Sequence, residues 1–286
     1  SAEDRKHRRA EGLSVMVTNG GASNSPFRVI CEVRPPVRPN LLGVRRQIAM
    51  FGKSTDAILV PENPIGVPTI SSLVVAREVS VLGGSPIAVL NARDRNLLGL
   101  QRDILTAVES GTNELLFVGG DPTPGSTSEL SAQSMMVETR AFCNALGVPP
   151  ITVAVASGLG TFSRWKHDAD QVFLQASFSL DDLLVWRELT VFDGPVYAGV
   201  IVAPSASRAR KWSAELPGIT VPDELIAELD DDAAAGVAFA CDLIDKIELS
   251  GAFDGVHLIA GVRYREMASH LHLRRRRVSV GGPPLS

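Results

Sequence analysis

Three side chains stand where the chain is able to do proton and hydrogen-bond chemistry: Glu32 in VICEVRPP, Asp121 in VGGDP and Gln175 in VFLQASFS. Glu32 sits among apolar residues near the end of a strand pattern, which places a carboxyl to hold a proton and deliver it. The plain alternative is a strand-end glutamate paired with Arg34 or Arg46. Asp121 follows Gly119 and Gly120. Two glycines let the backbone approach a flat ligand, and a carboxylate behind them accepts paired N–H donors. The same tetrapeptide is also an ordinary turn. Gln175 offers a donor and an acceptor from one amide, which suits a heterocycle edge; a strand-end glutamine with no such task is the simpler reading. Arg263, in HLIAGVR, is either a substrate-binding cation or a helix-start arginine, and His257 reads as structural.

These residues need a scaffold, and the hydrophobic pattern supplies one. Short apolar runs predict eight strands, at 28–33, 57–61, 87–91, 114–118, 151–155, 171–175, 196–201 and 255–259. Several are continuous (LLFV, AGVIV), as expected of parallel strands covered on both faces. Helical spacing fills the gaps. Leu97, Leu100, Ile104, Leu105 and Val108 form one predicted face, with Arg102, Asp103 and Glu109 opposite. Ser179 is a predicted N-cap with Asp181 and Asp182 in the first turn after it, where carboxylates favour the helix dipole. Eight strand–helix units in this length predict a (β/α)8 TIM barrel, with a doubly wound open sheet as the other candidate. Residues 27–272 form the expected barrel domain, between an N-terminal tail (1–26) and a basic tail (273–286) that includes Arg274–Arg277. In either fold, ligands bind past the carboxyl ends of the strands. The stretch 87–122 places Arg93, Asp94 and Arg95 past one such end and Asp121 past the next.

The formal charge of −4 gives no global case for nucleic acid or an anionic membrane. Three separated cysteines without C-x-x-C or Cys/His spacing suggest neither a disulfide framework nor a zinc site. The charged start lacks the apolar core of a secretory signal, and no run reaches the ~20 apolar residues of a spanning helix. The expectation is a cytoplasmic, soluble protein with a small-molecule substrate; a homo-oligomer is compatible with all of this.

Five stretches also resemble one enzyme family. NARDRNLLGLQ followed by GGDP is similar to the "R-D-R-N…L-Q…GDP" signature of the methylenetetrahydrofolate reductases. Glu32 with Pro35 and Pro36 resembles their opening "F-E-[FV]-x-P-P". VFLQASFS, through Gln175, Phe178 and Ser179, resembles "[IL]-T-Q-x-x-F-[DS]", and HLIAGVR resembles "H-F-Y-T-L-N-R". ENPIGVPTIS is similar to the "DNP-x-G-x-P-x-[MI]-S" loop, with Glu62 in place of Asp; such a loop can offer backbone N–H groups to an anion. The likeness runs from about Arg28 to Met267.

The resemblance implies a barrel that reduces 5,10-methylenetetrahydrofolate to 5-methyltetrahydrofolate with NADH or NADPH through FAD. It assigns Glu32 as the general acid and puts Asp121 near both flavin and pterin. Gln175 and Arg263 go to the folate. Asn91, Arg93, Asp94, Gly119, Gly120, Arg164 and Lys166 go to the cofactor side. The chain departs from the pattern at Val89, where the family has His, and in ASGLGTFSRW, where its flavin-dependent members carry an acid and an imidazole. The departures leave open FAD held by altered contacts, another flavin-like cofactor, or direct meeting of folate and nicotinamide. The alternative function is a flavin-free folate- or pterin-binding barrel that is a non-reductase or accessory homologue. A barrel acting on an unrelated small molecule is a third reading.

Overall fold

Eight parallel strands hydrogen-bond in chain order and close on themselves, β1 pairing with β8 through Ile30 opposite His257. The computed structural model describes residues 26–280 apart from 94, 122 and 124. The strands are β1 Arg28–Glu32, β2 Ala57–Val60, β3 Pro86–Asn91, β4 Glu114–Val118, β5 Thr152–Ser157, β6 Gln171–Ala176, β7 Val196–Ile201 and β8 Gly255–Ile259. The predicted (β/α)8 barrel is therefore the fold, and the open sheet is excluded by the β1–β8 pairing. Closure leaves no edge strand to be capped.

The outer ring consists of α1 Leu42–Phe51, α2 Ser72–Val81, α3 Leu97–Ser110, α4 Ala132–Leu146, α5 Leu180–Leu189, α6 Ala206–Glu215, α7 Asp223–Asp231, α8 Ala235–Ser250 and α9 Tyr264–Val280. The β5–β6 crossover carries a 3₁₀ turn, Arg164–Asp168, in place of an α-helix. Ser179 caps α5 as predicted, accepting from Asp182 N–H at 3.1 Å. The last helix runs past residue 272, where the barrel was expected to end. Arg274 meets Asp245 at 2.9 Å and also Glu248, and Arg275 meets Asp56 at 3.2 Å. These two arginines fasten α9 to the barrel; the expected tail residues 1–25 and 281–286 lie outside the described ones.

One interior face is apolar through Ile30, Leu59, Val89, Leu116 and Phe173, while the alternate residues pack outward against the helices. Below this plug Arg28 spans the barrel floor, donating to Glu114 at 2.7 and 3.0 Å and to Tyr197 at 3.2 Å. An aspartate precedes three of the even strands and accepts an N–H from an odd one. Asp56 takes Val29, Asp170 takes Val153 and Asp254 takes Val196, at 2.7–2.9 Å. These bonds satisfy strand starts that the ladder leaves unpaired. On β6 the register slips between Phe173 and Ala176. Gly199 makes room for that bulge, since a Cβ there would stand 2.4 Å from the Leu174 carbonyl oxygen.

One helix face differs from its sequence expectation. On α3 the buried residues are Leu100, Asp103, Ile104 and Ala107, while Leu105 is 50% exposed. Asp103 turns inward because Arg95 waits there, 3.0 Å away.

Candidate functional site

Side-chain alternation carries Ile30 to Glu32, Val89 to Asn91 and Gly255 to His257 on the interior face, Glu32 and Asn91 at the carboxyl ends of their strands and His257 midway along β8. The β1–β8 pairing then brings Glu32 and His257 together. Glu32 Oε2 lies 3.3 Å from His257 Nε2, with side chains 24% and 11% exposed. The distance is that of an ion pair, yet Nε2 has no aligned hydrogen bond. Hydrogen-bond angles at active-site pairs commonly tighten only around a ligand. The His257 ring also stands edge-on to Phe173, centroids 5.7 Å apart. A carboxyl and an imidazole thus stand side by side inside the barrel. The sequence alone gives His257 a structural reading and offers Arg34 or Arg46 as the partner of Glu32. The alternation of HLI within β8 was the signal that points His257 inward.

Asp121 lies past β4 at the same end of the barrel, but its carboxylate faces the loop after β2. Oδ2 accepts the Ile65 N–H at 2.7 Å. That bond corrects the expectation of a free anion site in the ENPIGVP loop, for the anion serving Ile65 is the protein's own. Gln175 stands beside the β6 bulge and donates to the Pro217 carbonyl at 2.9 Å. Arg263 donates to the Pro204 carbonyl at 3.2 Å and pairs with Glu266 at 3.0 Å. It thereby ties the exit of β8 to the exit of β7.

The residues assigned to the cofactor form a rim of their own. Asn91 N–H donates to Glu62 Oε2 at 2.7 Å, and its amide donates to the Glu62 carbonyl at 3.3 Å. Buried Arg93 donates to the Asp121 carbonyl at 2.5 Å and to the Asn63 carbonyl at 3.5 Å. Asp94 lies outside the described residues. Gly120, at φ 83°, is packed: a Cβ would stand 2.9 Å from Arg93 Cβ, whereas one on Gly119 would meet open space. Lys166 donates to Ser157 Oγ at 3.3 Å beside the rings of Phe162 and Trp165. Burial pushes its pKa down from the ordinary lysine value. Arg164 is exposed and lines an open cleft of about 800 Å³ with Gln133, Trp165, His167 and Asp168.

Set against an isoalloxazine, this rim does not fit as it stands. Arg93 folds into the loops and closes the space above Gly120, and both polar groups of Asn91 named above are taken by Glu62.

Two features escaped sequence reasoning. Glu62 and Arg95 form a bidentate pair at 2.8 and 3.1 Å, with Asp103 closing the triad; this buried cluster holds the Asn91–Arg93 loop. A smaller cleft of about 190 Å³ opens between the exits of β7 and β8, lined by Ile201, Pro204, Arg208, Trp212, Ile259 and Val262. Among the described residues no His/Cys/Asp/Glu group suited to a metal occurs, and no helix is long and apolar enough to cross a membrane.

Architecture and site thus define a (β/α)8 barrel with an acid–imidazole pair in its mouth. No protein-family model matches the chain, and neither does any curated protein. Among solved structures it is similar to an uncharacterized protein from Clostridium thermocellum that binds two copies of 5-methyl-5,6,7,8-tetrahydrofolic acid. Identity is 12% over 89% of this chain and 96% of that one, with a TM-score of 0.62. Looser likenesses are to tryptophan synthase from M. tuberculosis (13%, 80% and 94%, TM-score 0.45) and to 2,3-dimethylmalate lyase (13%, 93% and 87%, TM-score 0.47). At such identities the likeness concerns the fold.

Proposed function

We propose that this barrel binds a reduced folate in its mouth and reduces the 5,10-methylene bridge to a 5-methyl group. The carrying observation is the Glu32–His257 contact on the interior face. Two further lines support the reading: the family resemblance of the motifs around Glu32, Asp121 and Gln175, and the fold likeness to a barrel that binds 5-methyltetrahydrofolate. Reduced nicotinamide, when bound, supplies the hydride.

The chain's own residues handle the proton. Glu32 delivers it to N10 as the bond from N10 to the bridge carbon breaks and its electron pair goes to that nitrogen. The carbon left on N5 is an iminium, and hydride addition makes it a methyl group. His257, 3.3 Å from the carboxylate that remains, relays a proton back to it. Gln175 and Asp121 serve the pterin edge, each through an amide or carboxylate that must first exchange a protein partner for the ligand. Arg263 fixes the substrate side of the β8 exit. The engaged rim around Arg93 favours a second reading, a folate-binding barrel without reductase activity.

The deciding experiment incubates the protein with 5,10-methylenetetrahydrofolate and NADH or NADPH, with and without FAD, and measures 5-methyltetrahydrofolate by mass spectrometry. Product above the protein-free control is expected. Folate binding without product under all four conditions would favour the second reading, and no folate binding would reject both.

A further inference from the structure

We infer that Asp121 is a latch: its carboxylate holds the loop after β2 in a strained shape, and a ligand that presents N–H donors to that carboxylate releases the loop. The inference rests on the reading that Asp121 receives the pterin edge of a reduced folate.

The strain is visible in the backbone. Asn63, Ile65 and Gly66 have φ values of 45°, 50° and 74°. The left-handed region suits glycine and is tolerated by asparagine, but for a β-branched residue it is a genuine outlier. Packing does not repay it, since Ile65 is 81% exposed. Such conformations persist only where surrounding contacts impose them.

Those contacts are few and specific. Asn63 Oδ1 accepts the Thr69 N–H at 3.0 Å and closes the base of the loop. The Arg93 guanidinium bridges the carbonyls of Asn63 and Asp121. Gly66 sits so close to Thr123 that a Cβ would stand 2.3 Å from its Cγ2. The strained residue itself donates its N–H to Asp121 Oδ2, at 2.7 Å. The carboxylate is therefore both the loop's restraint and the group that a pterin edge would claim. A ligand with two convergent N–H donors offers it a better bond than one backbone amide does. Once that exchange occurs, Ile65 relaxes, and the strain released offsets part of the lost amide bond. Binding and loop opening become one event.

The test is amide hydrogen exchange across residues 63–67 of the full chain, with and without 5-methyltetrahydrofolate, alongside Asp121→Ala and Ile65→Gly. Asp121→Ala without ligand should speed exchange at Ile65 by roughly fivefold or more, the worth of one hydrogen bond, while the strands keep their protection. Folate should speed the same amide in the native protein. Ile65→Gly, which removes the strain, should slow exchange in the loop and weaken folate binding several-fold. Unchanged exchange in Asp121→Ala overturns the latch whatever the ligand does. Folate that binds and leaves 63–67 as protected as before overturns the latch and spares the folate reading. Absence of folate binding removes both.

Discussion

Glu32→Gln will lower the rate of 5-methyltetrahydrofolate formation by about 10²–10⁴-fold, the usual worth of a positioned general acid. The substitution keeps the shape and the hydrogen-bonding capacity of the side chain and removes its transferable proton. Affinity for 5-methyltetrahydrofolate should stay within a few-fold of the native value, because the barrel mouth and its His257 neighbour persist. The two readouts separate chemistry from binding. A rate unchanged by the substitution would take Glu32 out of the mechanism. A rate lost together with folate affinity would make Glu32 a binding residue.

The second large effect concerns stability. Arg95→Met will destabilise the fold by about 3 kcal/mol, the cost of leaving the nearly buried Glu62 carboxylate without its counter-ion. Glu62 and Asp103 both lean on this guanidinium, and all three side chains are only 11–12% exposed. Removing it strips Glu62 of its cationic partner and leaves Asp103 to Arg102, 2.9 Å away on the exposed side. The Asn91–Arg93 loop should loosen as well, since Arg95 also donates to the Asn91 carbonyl at 2.8 Å. Adding Glu62→Gln to Arg95→Met should recover part of the loss, a coupling that a double-mutant cycle reads directly. Chemical denaturation of the four proteins is the measurement. A single variant within about 0.5 kcal/mol of the native protein, the range of an ordinary surface substitution, would mean that the triad is inert.

The barrel was legible in the sequence because its strands are continuous apolar runs of the right length. β4, β7 and β8 have the predicted bounds, and the other five differ by a residue or two. Local patterns describe which residues are buried in a strand; they do not say which distant strand lies alongside. That is why Glu32 was legible and His257 was not. Alternation turns each of them inward, but only the β1–β8 closure makes them neighbours. Asp103 was misplaced for a related reason. A charge on a predicted helix is assigned to solvent unless a partner is known, and its partner Arg95 is itself organised by Glu62, from a loop 33 residues away in the chain. The β5–β6 crossover shows another limit: 13 residues separate those strands, and the segment becomes a short 3₁₀ turn packed through Phe162 against Trp186 and Phe192. Spacing had located Asp121 and Gln175 at strand ends. It carried no information on where their polar atoms were already engaged.

A crystal structure of the protein with 5-methyltetrahydrofolate is the most direct check. The pterin should lie inside the ring of strand ends, its N–H edge on the Asp121 carboxylate, its ring within hydrogen-bond reach of Gln175, and N10 facing Glu32. A ligand seated instead in the cleft beside Arg164 and Trp165, or a mouth left empty at saturating concentration, would contradict the account.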